Sequence, residues 1–188
     1  MRKIVVAITG ASGMPLALKL MRLLALQPGL QTGCIVSSAA RKVMARETGE
    51  DEALYWALAK FAWQPDDLAA GPASGSWWKQ GDALVVVPCS MSTLGAVASG
   101  CGTNLIHRCC DVALKERRQL LMITRESPLS LIQLRNMAAL TEAGAIIMPF
   151  SPGFYFQPAS LDDLLGSFCQ RVFDVLGIPH NGQVWGAS

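Results

Sequence analysis

Two kinds of apolar pattern alternate along the chain. Short, nearly continuous apolar runs recur at residues 3–8, 31–36, 83–88, 120–124 and 145–148, the signature of strands buried on both faces. Between them, over 15–26, 39–47, 91–98, 104–115, 130–143 and 161–176, apolar positions return three and four residues apart, as on one side of a helix. In the first of these Leu16, Leu20, Leu23 and Leu24 share a side, and Pro15 sits in the first turn, where its missing N–H costs nothing. Strands alternating with helices require right-handed crossovers, so the pattern predicts a three-layer α/β sandwich around a parallel sheet. No internal repeat, low-complexity tract or linker interrupts it; "GPASGS" at 71–76 reads as a loop. The segment 177–188 looks irregular but carries Trp185, so it is expected to dock on something.

Composition narrows the picture. A chain of 188 residues suits one domain over its whole length. With 51% apolar and 16% charged residues, it carries more apolar surface than one core needs, which predicts an oligomer. A formal charge of +2 argues against nucleic acid or an anionic membrane as the main partner. No apolar stretch reaches the roughly 18 to 20 residues of a membrane span, and the N-terminus enters a strand without a signal-peptide pattern, so a cytoplasmic protein is expected. Six cysteines without a CxxC pair, and only His107 and His180 beside them, predict reduced, buried thiols rather than a zinc site.

Candidate chemistry lies where strands turn into helices. After the first strand comes Thr9-Gly10-Ala11-Ser12-Gly13, a glycine-bearing turn that can bring backbone N–H groups and a helix N-terminus against a phosphate. It is neither GxGxxG nor a P-loop. Ser37-Ser38 follows the second strand and Cys89-Ser90-Met91-Ser92-Thr93 the third. Each of the three junctions could be a plain N-cap, yet three on one edge of a parallel sheet can surround one phosphorylated planar ligand.

The segments "TGASG", "VSSAA…ETG", "PASGS", "PCSMSTL", "NLIHRCCDVALKERRQLLMITRESPLS", "NMAALTEAGAIIMP" and "PGFYFQPASLDDL" resemble, in this order, the signatures of the UbiX-type flavin prenyltransferases. The resemblance covers nearly the whole chain. It implies a Rossmann-like flavoprotein fold, a dodecamer, and FMN bound as a substrate rather than a redox cofactor. Dimethylallyl monophosphate would be joined to N5 and C6 of reduced FMN, giving prenylated FMN for a partner UbiD-type decarboxylase. By the same resemblance Gly10, Ala11, Ser12, Ser37, Ser90, Met91, Ser92, Thr93 and Arg125 would hold FMN. Ser74, Arg108, Lys115, Arg125, Tyr155 and Arg171 would hold the allylic phosphate, and Glu47 and Glu126 would carry or position protons, with Ser12 and Lys115 also in the catalytic set. No metal is implied.

These residue types suit that chemistry. Departure of an allylic phosphate needs cations and hydroxyls on the leaving oxygens, where charge accumulates. A developing allyl cation needs an electron-rich, water-excluded wall. A carboxylate such as Glu126, beside Arg125, can take the proton that must leave the flavin ring. Plainer roles compete: Arg117 and Arg118 read as a solvated helix end, Arg125-Glu126 as a surface ion pair, Tyr155 as a core aromatic, Arg171 as the wet side of a helix, and His107 as a capping or packing residue. Three positions depart from the family pattern: Ser38 where a Lys is common, Met14-Pro15-Leu16 where a Tyr is frequent, and Leu68 in the place of a Trp set against the prenyl group. The related cysteine decarboxylases use a histidine base and a PASANT-like segment; here the segment is PASGS and neither histidine lies near Trp63 or Leu68. A non-catalytic FMN-binding subunit is the other reading.

Overall fold

The computed structural model describes residues 1–182; Trp185, expected to dock, lies outside them. Six strands pair in parallel in the order β3-β2-β1-β4-β5-β6. They are β1 (Arg2–Ile8), β2 (Leu30–Val36), β3 (Phe61–Trp63), β4 (Ala83–Cys89), β5 (Gln119–Thr124) and β6 (Ile146–Pro149). The helices are α1 (Met14–Ala25), α2 (Ser38–Glu47), α3 (Glu52–Ala57), α4 (Met91–Ala98), α5 (Leu105–Lys115), α6 (Leu131–Glu142) and α7 (Leu161–Leu176). This is the three-layer α/β sandwich that the pattern predicts and the Rossmann-like fold that the resemblance implies. The order reverses between β1 and β4, and that switch point opens a crevice at the strands' carboxyl ends.

The central strands explain their own apolar runs. Every residue from Ile4 to Ile8 and from Ala83 to Val87 is buried, because separate cores lie on the two faces. One packs α1 and α7 against Ile4, Val6, Ile8, Val85 and Val87. The other packs α5 against Val5, Ala7, Leu84 and Val86. Each such side chain stabilises the fold by about 1.5–3 kcal/mol relative to exposure.

Two elements lie outside the predicted set. β3 is three residues long and α3 six, each too short for its period to stand out. The run at 145–148 is a strand, but at the sheet edge, and Ile146 is exposed in the single chain, contrary to the expected burial on both faces. Its covering helix α6 buries only Leu140, while Leu131, Ile132 and Leu134 are 60%, 71% and 48% exposed. Gly71–Ala73 and Gly75–Trp77 form single 3₁₀ turns inside the predicted loop.

Candidate active site

At the carboxyl edge the three hydroxyl-rich junctions are helix N-termini side by side. The Ser37 hydroxyl accepts from the Ala40 N–H at 3.1 Å and caps α2. That of Ser90 accepts from the Thr93 N–H at 3.3 Å, lies 3.1 Å from the Ser92 hydroxyl, and donates to the Thr93 hydroxyl at 3.0 Å. The plain capping reading of these serines is therefore correct as far as it goes. It leaves the first amides of α2 and α4 without intrahelical partners, facing the crevice edge where an anion is favoured.

α1 begins differently. Its N-cap Gly13 has no side chain, and φ of 127° there suits glycine alone. The missing cap comes from Glu47, at the far end of α2: one carboxylate oxygen accepts from the Gly13 and Met14 N–H groups, both at 2.9 Å. Burial pushes the Glu47 carboxyl up, but the Ser12 hydroxyl, those two amides and the Arg125 charge outweigh it and hold the group below the usual carboxylate range. Arg125, just past β5, also donates from Nε to the Ser12 carbonyl at 3.4 Å. Ser12, Glu47 and Arg125 thus form one hydrogen-bonded, charge-balanced cluster at the mouth of the switch point. Glu126 beside it accepts from the Ser127 N–H at 3.1 Å.

Two positions set these distances. A Cβ on Gly10 would stand 2.5 Å from the Cβ of Ala39, so only glycine lets the β1–α1 turn lie against the first turn of α2. Thr9, buried and absent from the predicted set, donates from its hydroxyl to the Pro88 carbonyl at 2.7 Å and accepts from the Ser90 N–H at 2.8 Å. It bolts the β4–α4 junction to the end of β1. Its signal was its place at the head of TGASG, where a hydroxyl before the glycine invites a local bond.

The remaining predicted residues are elsewhere. Lys115 ends α5 and pairs with Glu116 at 2.9 Å, next to the start of β5. It therefore sits at the amino edge of the sheet, one strand length from Arg125, roughly 20 Å at about 3.3 Å per residue. Arg108, in the first turn of α5, donates to the Ala73 carbonyl at 3.1 Å and to Asp111 at 2.6 Å, beside Ser74, whose hydroxyl lies 3.1 Å from that of Ser76. Arg171 pairs with Asp174 at 3.3 Å near the lower end of α7, and Tyr155, in the loop before α7, is 74% exposed. His107 accepts from the Thr103 N–H at 3.3 Å, a packing role. The predicted residues thus lie at the carboxyl edge, on the outer face of α5, and on α7 and the loop before it.

All six cysteines are unpaired and five are buried, the thiols of Cys34, Cys89, Cys109 and Cys169 pushed up to about 12 chiefly by burial. Among the described residues no group of three or more His, Cys, Asp or Glu could hold a metal, and no helix is long and apolar enough to cross a membrane.

A family model described as Flavoprotein matches residues 1–170. Flavin prenyltransferase UbiX of Thermoplasma acidophilum is 42% identical over 176 residues, covering 94% of this chain and 95% of its own. The Methanocaldococcus jannaschii protein of the same name is 43% identical, covering 95% of both. Among solved structures, a dodecameric FMN-dependent UbiX-like decarboxylase from Escherichia coli O157:H7 superposes with a TM-score of 0.94 at 38% identity, over 98% of this chain and all of that one. AnUbiX (PadA1), in complex with FMN and dimethylallyl pyrophosphate, gives 0.90 at 40% identity over 98% of each chain. The peptidyl-cysteine decarboxylase EpiD, at 13% identity and 0.60, shares the fold alone. With the fold, the switch-point cluster and these likenesses together, the chain belongs to the flavoprotein family and, within it, to the UbiX-type flavin prenyltransferases.

Proposed function

We propose that this chain, as one flavoprotein domain spanning residues 1–188, is a metal-independent flavin prenyltransferase. It joins the dimethylallyl group of dimethylallyl monophosphate to reduced FMN, making prenylated FMN for a UbiD-type decarboxylase. The observation that carries the reading is the Ser12–Glu47–Arg125 cluster set beside the free N-termini of α2 and α4 at the switch point.

The residues fit FMN. Because Glu47 already neutralises the N-terminus of α1, an incoming phosphate is directed to the amides and hydroxyls at Ser37 and at Ser90 to Thr93. Gly10 lets the β1–α1 turn with Ala11 lie against α2 at this edge, and Arg125 supplies the local positive charge. Reduced FMN, when bound, supplies two nucleophilic positions, N5 and C6, for closure of a fourth ring. Glu126 stands next to Arg125 to take the proton that leaves C6. The Ser12 hydroxyl, held on a Glu47 carboxylate that stays ionised at neutral pH, is fixed as a donor to that carboxylate and as an acceptor toward the crevice.

The groups for the leaving phosphate are Arg125 at the carboxyl edge, Ser74, Arg108 and Lys115 on and beside α5, and Tyr155 and Arg171 before and on α7. Of these, Lys115 lies about a strand length from Arg125, too far to act on the same molecule within one chain. A homo-oligomer, the dodecamer of the family, brings the clusters of neighbouring copies together, and the exposed apolar face of α6 and β6 supplies the contact surface. A cytoplasmic setting suits six unpaired cysteines. The test is anaerobic incubation with reduced FMN and dimethylallyl monophosphate: a flavin heavier by one dimethylallyl group, with phosphate released, is expected. An unchanged flavin mass from FMN-loaded protein would leave only a flavin-binding subunit.

A further inference from the structure

The chain turns back on α7 after that helix ends. Gly177 takes a φ of 64°, which glycine adopts without strain, and the buried Ile178 donates its N–H to the Phe173 carbonyl at 2.9 Å. Two residues on, the His180 ring lies edge-on to Phe173, with centroids 6.3 Å apart, and its side chain is only 12% exposed. A Cβ on Gly182 would stand 2.2 Å from the Gln170 side chain, so the returning segment lies against the residue before Arg171. His180 Nδ1 accepts from the Gly182 N–H at 3.0 Å, which assigns the proton of the neutral ring to Nε2. That Nε2 donates to one oxygen of Asp174 at 2.8 Å, and the other oxygen accepts from Arg171 at 3.3 Å. The His180 bond, opposed by burial and helped by Arg171, holds the Asp174 carboxyl below its usual range, so it is ionised at neutral pH.

We infer that Asp174 and His180 are positioning residues: the imidazole fixes the carboxylate, and the carboxylate aims the Arg171 guanidinium at the leaving phosphate. The inference rests on the prenyltransferase reading, which gives Arg171 that phosphate. A lone ion pair three residues apart on an exposed helix holds neither partner firmly. Here the carboxylate is fixed from its other side by a nearly buried ring, which is itself tied to the backbone. One terminal nitrogen of Arg171 meets Asp174, and the rest of its planar fork remains for a ligand. Aim matters because charge gathers on the bridging oxygen only as the C1–O bond breaks and its electron pair leaves on phosphate. The arrangement therefore acts on the rate of that step more than on substrate affinity. Charge alone would act the other way: Asp174 repels a phosphate dianion, so its removal by itself would strengthen binding.

The experiment follows prenylated FMN by mass spectrometry under reducing, anaerobic conditions, with FMN-loaded protein and dimethylallyl monophosphate varied to separate kcat from KM. Asp174→Asn keeps the shape and an acceptor for His180 but loses the charge that holds Arg171. It should lower kcat roughly 10- to 100-fold, the loss that a misplacement of about 1 Å can bring, with KM unchanged or lower. In an Arg171→Ala background the same substitution should change kcat less than about twofold, since no guanidinium is left to aim. His180→Phe, which keeps a ring beside Phe173 and loses the donor, should show the same split, and His180→Gln, which keeps a donor, should recover most of the rate. If Asp174→Asn loses its fold or its FMN, the two His180 variants carry the same decision. An unchanged kcat in Asp174→Asn, or an equal loss with and without Arg171, overturns the inference and leaves the proposed function standing. Wild-type kcat in His180→Phe, or an equal loss in His180→Gln, overturns the part given to the imidazole. Wild-type protein that transfers no dimethylallyl group overturns both readings.

Discussion

At the scale of residues, the site turns on one carboxylate doing two jobs. Glu47 caps α1 through two backbone amides and fixes the Ser12 hydroxyl, with Arg125 completing the charge balance. Its pKa lies below the ordinary value of 4.5 in the folded chain, so its contribution to stability is fully present above that value and is lost as pH falls below it through the folded pKa. Glu47→Gln should cost about 1 kcal/mol at pH 7, a cap's worth reduced by the exposure of the group. The gap between wild type and variant should close below pH 4.5; urea unfolding midpoints at several pH values measure it, and a gap that widens in acid would contradict this role. Ser12→Ala leaves the core untouched and should weaken FMN retention by about 1 to 3 kcal/mol, roughly 5- to 150-fold in Kd, as one hydroxyl contact is lost. Fluorescence titration of FMN reads that directly.

At the scale of elements, legibility followed burial. β1, β2, β4 and β5 were readable because layers cover both of their faces, which demands unbroken apolar runs. β3 was not, since three residues at an edge have no period, and Phe61 and Trp63 there are held by ring stacking at 5.7 Å rather than by a pattern. The capping serines were readable because a cap is local chemistry. The Ser12–Glu47–Arg125 cluster was not, because its members, far apart in the chain, are joined only when the last residue of α2 is set against the start of α1. The separation of Lys115 from Ser12 follows from chain order: α5 leads into the amino end of β5, so its last residue sits at the opposite edge. α6 carries its own prediction. Its outward Leu131, Ile132 and Leu134 contribute nothing to the single chain's core, so Ile132→Glu should leave the fold intact while placing an unpaired charge in a contact between copies. Light scattering should show a smaller assembly with an unchanged circular dichroism spectrum.

For the whole molecule, the proposed function would make activity a property of neighbours. Lys115→Ala and Glu126→Gln should each retain FMN yet lose about two to three orders of magnitude in rate, as a charged contact or a proton acceptor worth roughly 2 to 4 kcal/mol disappears. If Lys115 and Glu126 serve one site from different copies, co-assembling the two inactive variants should restore about a quarter of wild-type activity, since random mixing gives that share of sites both intact partners. No recovery would mean that both residues act within one chain. The placement of Lys115 a strand length from the flavin edge has a further consequence. On the proposed function, a newly made, still solitary chain would load flavin at its switch point beside Arg125 but without the Lys115 that completes the phosphate site. It would then be poorly equipped to release a carbocation to water. The reactive step would become available when the walls that keep water out have arrived with the neighbouring subunits, so quality control of the assembly would be built into the order in which its parts meet.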